Sequence, residues 1–296
     1  MQTSEPPKPD WLRISLRVNE QYAQLRRRLT TLGLHTICEE ARCPNVFECW
    51  GEGTATILLL GDTCTRGCRF CAVRTGNPHG LIDKLEPERV SEAVAESGLR
   101  YVVLTSVDRD DLPDGGSSLL AETVRKIKAR ADITVEMLMP DFRFDTSALD
   151  ALIASGADVL AHNLETVERL TPIVRDRRAG YRQSLEVLRY LKERSGRITK
   201  SSLMLGLGEK REEIIAALKD LRQAGVDVVT LGQYLRPGRK YLPVASYIPP
   251  ETFEEYGNLA RELGFRMVAS GPFVRSSYRA GEIYLAALAH GTGFKM

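Results

Sequence analysis

The feature that most constrains the fold is a rhythm that begins at Thr54. A short apolar run rich in strand formers, "TATILLLG", gives way to "EPERVSEAVAESGLR", whose apolar residues recur at helical spacing. The pairing repeats as "YVVLTSV" with "SSLLAETVRKIKARA", "ITVEMLMP" with "TSALDALIASG", and "DVLAHNLE" with "RQSLEVLRYLKERS". It continues as "ITKSSLMLGLG" with "KREEIIAALKDLRQAG" and "VDVVTLGQY" with "PETFEEYGNLARELG", which makes six β-α units. A strand-like "FRMVAS" and a helix over 282–290 close the chain. Thr146 or Ser147 is the expected N-cap of its helix and Gly156 its terminator. Ile214, Leu218 and Leu221 share one helix face. Such alternation builds a parallel sheet with helices outside it, either doubly wound or closed toward a barrel. Six units predict a partial (β/α)6 TIM-type barrel over residues 54–270, an N-terminal extension over 1–53 and a C-terminal segment over 271–296. In such folds the reacting groups sit at the C-terminal ends of the strands.

Composition narrows the class. The chain has 296 residues with 43% hydrophobic and 27% charged, ordinary values for a soluble globular enzyme. A net charge of +2 gives no nucleic-acid or membrane reading. No apolar run approaches the ~20 residues of a membrane span. The opening "MQTSEPPKPD" has neither a signal core nor an import-type amphipathic face. A cytoplasmic monomer is the expectation, and disulfides are uncommon in the cytoplasm. The six cysteines therefore need another use, and all lie between Cys38 and Cys71.

Cys64, Cys68 and Cys71 form a C-x3-C-x2-C loop in "GDTCTRGCRFCAVRTG", where the first strand ends. Thiolates favour zinc and iron–sulfur clusters. A structural zinc completes four ligands, and a zinc loop stays as the alternative. Three cysteines at these spacings suit a cubane, with one sulfur on each of three irons and one iron left open. In this position the motif resembles that of the radical S-adenosylmethionine (radical SAM) enzymes. The resemblance implies that SAM chelates the open iron and that one electron cleaves it to a 5′-deoxyadenosyl radical. Phe70 and Ala72, flanking Cys71, match positions on the adenine side.

Cys38, Cys43 and Cys49 form a second set, C-x4-C-x5-C, with His35 as an alternative fourth ligand for zinc. This set upstream of the first resembles the lipoyl synthase family. So do "ARCPNVFECW", "TSVDRDDLPDGG", "HNLETV", "LMLGLGE", "LGQYLRP" and "GPFVRSSYRAGE", over roughly residues 35–284. The resemblance implies a sulfurtransferase with two [4Fe–4S] clusters and SAM. The second, auxiliary cluster would be the sulfur donor, completed by a serine of "RSSY", Ser276 in preference to Ser277. Two sulfurs would enter at C6 and C8 of an octanoyl chain on a lysine of a lipoyl carrier domain. Carriers would be the E2 subunits of 2-oxoacid dehydrogenases or the glycine cleavage H protein. Ferredoxin or flavodoxin would supply electrons, and iron–sulfur assembly or carrier proteins would rebuild the donor. Another sulfur-inserting radical SAM enzyme and a non-catalytic zinc-binding protein are the alternatives.

The resemblance also implies SAM contacts. Gly115 and Gly116 in "PDGG" match a segment that approaches the methionyl amine, although the same sequence makes a tight turn. Asn163 and Glu165 end the fourth strand, where a buried carboxylate needs a partner. Ser202 stands where the family commonly has glycine. Met204 is placed near adenine or in the core, and Gln233 and Tyr234 line the cavity. Arg175, Arg177 and Arg178 form a basic loop, with Arg175 and Arg178 expected to meet an acidic carrier domain or else to be solvated.

Overall fold

The computed structural model describes residues 6–13, 20–40, 43, 45–51 and 54–291. Seven strands run parallel: β1 (Thr54–Leu59), β2 (Tyr101–Ser106), β3 (Thr134–Leu138), β4 (Val159–Ala161), β5 (Ile198–Leu205), β6 (Val228–Gln233) and β7 (Met267–Gly271). Each pairs with the next in chain order, and a two-residue strand, His35–Thr36, joins β1 antiparallel to complete an eight-stranded sheet. A doubly wound sheet would reverse strand order at a switch point. Among the described residues no reversal occurs, and β7 and His35–Thr36 each pair on one side only, so the sheet is an incomplete barrel. Its first six strands and their helices are the six expected units.

Helix α1 (Glu20–Thr31) precedes the sheet, and α2 (Glu86–Glu96), α3 (Ser117–Arg130), α4 (Thr146–Ile153), α5 (Tyr181–Ser195), α6 (Arg211–Gln223) and α7 (Pro250–Glu262) cross between strands. On α6 the expected face is buried: Ile214, Leu218 and Leu221, with Ala217 beside them. Each such Leu or Ile contributes roughly 1.5–3 kcal/mol by leaving water. The N-cap of α4 is Asp145, not Thr146 or Ser147; its carboxylate accepts from the N–H groups of Ser147 and Ala148. Asp, Thr and Ser can all cap, and the extended backbone at Asp145 decides which one does. Gly156 is left-handed (φ 94), two residues past the C-cap Ala154.

The last helix, α8 (Ala280–Gly291), follows β7. Its Ile283 and Ala287 pack on Val159, Ile198 and Val228, the first residues of β4, β5 and β6. Tyr284 sets its ring 5.8 Å from that of Tyr101, the first residue of β2. This helix therefore covers the N-terminal end of the barrel. Inside, Lys200 donates to both oxygens of Glu136 (2.9 and 2.8 Å), and the Tyr101 hydroxyl donates to the same carboxylate (2.7 Å). The N-terminal extension lies against the C-terminal segment. Asn45 Nδ2 donates to Phe273 O, and the Tyr278 hydroxyl donates to Glu48 (2.9 Å).

Candidate active site

Unusual backbone gathers at the C-terminal ends of the strands. Leu60 (φ 66) follows β1, Phe142, Arg143 and Phe144 (φ 46, 53 and 61) follow β3, and Glu165 (φ 70) follows β4. Left-handed conformations cost non-glycine residues free energy and concentrate where function over-determines the backbone.

The loop after β1 carries the three cysteines. Thr63–Cys64 pairs in parallel with Arg74–Thr75, the Cys71 N–H donates to Cys68 O (3.1 Å), and the Gly76 N–H donates to Cys64 O (2.9 Å). Each sulfur also receives a backbone N–H. Arg66 donates to Cys64 Sγ (3.4 Å), Asp176 donates to Cys68 Sγ (3.3 Å), and Val73 faces Cys71. Burial pushes the Cys64 thiol up to about 11 and that of Cys68 to about 12, and raises Cys71 as well. A buried thiol holds its proton unless a metal displaces it. Sulfurs already aimed at by N–H donors suit a cluster, whose potential such bonds tune. Among the described residues no three His, Cys, Asp or Glu side chains group to hold one metal ion; a cubane takes its three thiolates on three separate irons.

A charged frame, absent from the sequence reading, fixes this loop. Arg66, between Cys64 and Cys68, donates to both oxygens of Asp141 (2.8 and 2.8 Å) and both of Asp110 (3.0 and 3.0 Å), and stands 3.2 Å from Asp108. Burial works against the Arg66 charge, but the Asp141 and Asp110 bonds outweigh it. Burial likewise opposes the Asp110 carboxylate, yet Arg66 brings it down to about 2. Asp108 is pushed up to about 6 by burial, only partly offset by Arg66. Three aspartates in "SVDRDD", just past a strand end, were the available signal.

The loop after β4 closes over Cys68. The Arg69 N–H donates to Val174 O (2.9 Å) and the Gly67 N–H to Asp176 Oδ2 (2.8 Å). One expectation is corrected here. Arg175 is buried (7% exposed), and its Nη1 donates to Ser184 Oγ (2.8 Å), so it is not presented to a carrier domain. Arg178, 34% exposed, donates to Thr65 O (2.6 Å) and pairs with Asp176 (2.8 Å) and Asp110 (3.1 Å). Arg177 is the exposed member of the group.

Asn163 and Glu165 come together: an Asn163 hydrogen bond and the Arg175 charge oppose the burial that raises the Glu165 carboxyl. That carboxyl in turn raises Cys71, so it faces the cysteine loop. Met204 is the one partly exposed residue of β5, and Ser202 is buried with its carbonyl accepting from Glu165 N (3.0 Å). Phe70, partly buried, packs against the core cluster, and Ala72 O accepts from the Tyr241 hydroxyl (3.4 Å).

Gly115 and Gly116 have their own reasons. Both are left-handed (φ 62 and 86), and a Cβ would lie 2.9 Å from Phe142 Cδ1 and 2.4 Å from Leu60 Cδ1. Gln233 and Tyr234 are a further correction, because neither presents a polar group to a ligand. Gln233 accepts from Ile248 N (2.8 Å) and donates to Tyr234 O and Ser246 O (3.0 and 3.1 Å). The buried Tyr234 hydroxyl donates to Leu242 O (2.8 Å). Both brace the segment after β6.

The other cysteines share a second cavity. Cys38, Cys43 and Cys49 line it with Asn45, Thr54, Thr56, Arg275, Ser277 and Tyr278. Burial pushes Cys38 up to about 11 and Cys49 to about 12, and raises Cys43. Backbone N–H groups of Thr56, Asn45 and Arg279 face the three sulfurs in turn. The Trp50 indole N–H, buried without an oxygen partner, also faces Cys38. Ser277 is among the residues that line this cavity, and Ser276, the preferred candidate, is not.

Comparison with known proteins agrees with this geometry. Residues 58–221 match the family model of the radical SAM superfamily, which defines the class of enzyme. A crystal structure of methylornithine synthase shares the fold, with TM-score 0.56 and 15% identity over 90% of this chain and 80% of its own. Residues 2–43 match the N-terminal domain of lipoyl synthase. Lipoyl synthase of Thermus thermophilus is 58% identical over 95% of this chain and 87% of its own. Mitochondrial lipoyl synthase of Drosophila sechellia is 56% identical over 95% and 76%. The chain belongs to the lipoyl synthase family, and membership implies a [4Fe–4S] cluster and SAM.

Proposed function

We propose that the chain inserts two sulfur atoms, at C6 and C8, into an octanoyl chain amide-linked to a lysine of a lipoyl carrier domain. The observation that carries this reading is the pairing of two partly buried three-thiol sites, each sulfur met by a backbone N–H. Unactivated C–H bonds are beyond any side-chain acid or base at pH 7. SAM held at the first cluster would supply the radical chemistry able to remove such hydrogens.

Cys64, Cys68 and Cys71 hold the SAM-binding [4Fe–4S] cluster, and Arg66 keeps their loop in place. Glu165 and Asn163, with Met204 beside them, face the space where SAM binds. Cys38, Cys43 and Cys49 hold the auxiliary [4Fe–4S] cluster, a sulfur donor consumed in the reaction. Ser277 replaces Ser276 as our proposed fourth ligand, on the strength of its place in the cavity wall. A serine oxygen binds iron less firmly than a thiolate, which suits an iron that must leave. Residues 1–53 and 271–296 thus serve the donor site, and the barrel over 54–270 serves the radical site. The partners would be E2 or H-protein lipoyl domains, a ferredoxin or flavodoxin, and iron–sulfur carriers. We place the chain in the cytoplasm as a monomer; no helix among the described residues is long and apolar enough to cross a membrane.

The test is mass spectrometry of an octanoylated lipoyl-domain peptide incubated anaerobically with the protein, SAM and dithionite. A gain of two sulfurs is expected, together with about eight irons per chain for two [4Fe–4S] clusters. An unmodified peptide in the presence of a full iron complement rejects the reading.

A further inference from the structure

The loop after β4 places a buried cation directly before the residue whose N–H donates to Cys68. The N–H is that of Asp176, 3.3 Å from Cys68 Sγ. The cation is the preceding residue, Arg175, whose orientation is fixed by a chain of hydrogen bonds. His162 Nδ1 lies 2.9 Å from Met139 O, which can only accept, so Nδ1 carries the ring proton. Nε2 is then the acceptor, and the Ser184 hydroxyl donates to it (2.9 Å). The Ser184 oxygen accepts from Arg175 Nη1 (2.8 Å), and the same nitrogen points to Leu164 O (3.4 Å). His162, Ser184 and Arg175 are all buried. Burial pushes His162 down to about 4, so the ring is neutral and the order of donors is single-valued at pH 7.

We propose that Arg175, held by Ser184 and His162 against the cysteine loop, raises the reduction potential of the cluster on Cys64, Cys68 and Cys71. The proposal rests on those cysteines binding that cluster. Reduction adds one electron, and hence one negative charge, to a site already rich in charge. A fixed cation nearby stabilises the reduced form, and net charge and hydrogen bonds to sulfur are the protein's means of setting such potentials. Arg175 is thus a positioning residue that acts through the cluster. It is not a docking residue for the carrier.

The test is an EPR-monitored redox titration of the anaerobically reconstituted full chain without SAM, with the auxiliary cluster as internal reference. At an effective dielectric of about 20, a unit charge roughly 10 Å from a redox centre shifts its one-electron equilibrium about tenfold. Arg175→Gln and Arg175→Met should therefore titrate about tenfold toward the oxidised form, which is about 59 mV more negative. Arg175→Lys, which keeps the charge, should restore most of the shift. Ser184→Ala, which frees the guanidinium, should fall between. A potential within twofold of the parent for the Gln and Met variants overturns the proposal. Where those two fail to load iron, an unchanged potential in Ser184→Ala overturns it instead. Failure of the underlying assignment shows separately, as a parent protein lacking the cluster signal.

Discussion

Arg66→Met tests the account of the cysteine loop most directly. The side chain is 2% exposed, and its partner Asp141 is fully buried. Removing it leaves the Asp141 carboxylate with the Arg143 N–H (2.9 Å). Asp110 keeps Arg143 (2.9 Å), Arg178 (3.1 Å) and Thr65 (3.1 Å), so Asp141 bears most of the loss. Breaking a buried pair from one side costs about 3–5 kcal/mol, because the surviving charge stays desolvated. At roughly 2 °C per kcal/mol for a long chain, the melting midpoint should fall by about 6–10 °C. The pH dependence carries a sign. Asp141 is held below its usual range: burial opposes its charge, and Arg66 outweighs burial. Its contribution is present above the unfolded carboxyl value of about 3.9 and is lost as pH falls through the lower folded value. The gap between parent and variant should be full at pH 7 and narrow below about pH 4. Adding Asp141→Asn should recover part of the loss by removing the orphaned charge. Anaerobic melts at the two pH values, with an iron count, provide the measurement. A variant melting within 2 °C of the parent with unchanged iron would refute the reasoning.

Gly116→Ala should destabilise by about 1–3 kcal/mol, read as a lowered melting midpoint, since the new Cβ meets Leu60 at 2.4 Å on left-handed backbone. Lys200→Met should cost about 3–5 kcal/mol by leaving Glu136 charged and buried. Lys200→Met with Glu136→Leu should lie within about 1–2 kcal/mol of the parent, and a chemical-denaturation cycle decides between additive and compensating losses. His162 carries a folded value of about 4 against about 6.5 unfolded, so the unfolded chain binds the extra proton between them. Its stability contribution is whole above pH 6.5 and falls by roughly 3 kcal/mol as pH drops to 4. His162→Gln should flatten that acid limb in melts across the range. Tyr278→Phe removes the bond to Glu48. It should cost about 0.5–1.5 kcal/mol and speed iron loss to a chelator from the second site, with the first site unaffected.

The parts legible in sequence are those written in local period or local spacing. Strands and helices alternate strictly enough that their order could be read, and six cysteines in one short segment admit few uses. What stayed hidden depends on direction or on distance. "RDRR" does not say which arginine turns inward; the backbone at 175–178 sends Arg175 to Ser184 and leaves Arg177 outside. "RSSY" does not say which serine lines the second cavity, because the two differ by one residue in a turn. Gln233 and Tyr234 end a strand, as ligand-binding residues in barrels do, yet a loop needing its own hydrogen bonds claims both. The Arg66 frame joins ends of three different strands through partners 44 and 75 positions away. No periodicity encodes such a pairing.

The two thiol sites differ in what their walls are made of, and that difference bears on their roles. The first stands on the barrel, with its sulfurs and their donors held by Arg66 and by the Val174–Arg178 segment, all anchored at strand ends. A cluster that must return to one geometry each turnover gains from such a frame. The second is closed by contact between the chain's two extensions: Asn45 to Phe273, Glu48 to Tyr278, and the Arg279 N–H toward Cys49. Arg279 itself sits at φ 44, a conformation that costs a side-chain-bearing residue. Thr54 and Thr56 of β1 complete the lining, so the second site rests on one barrel strand and is closed over by the two extensions.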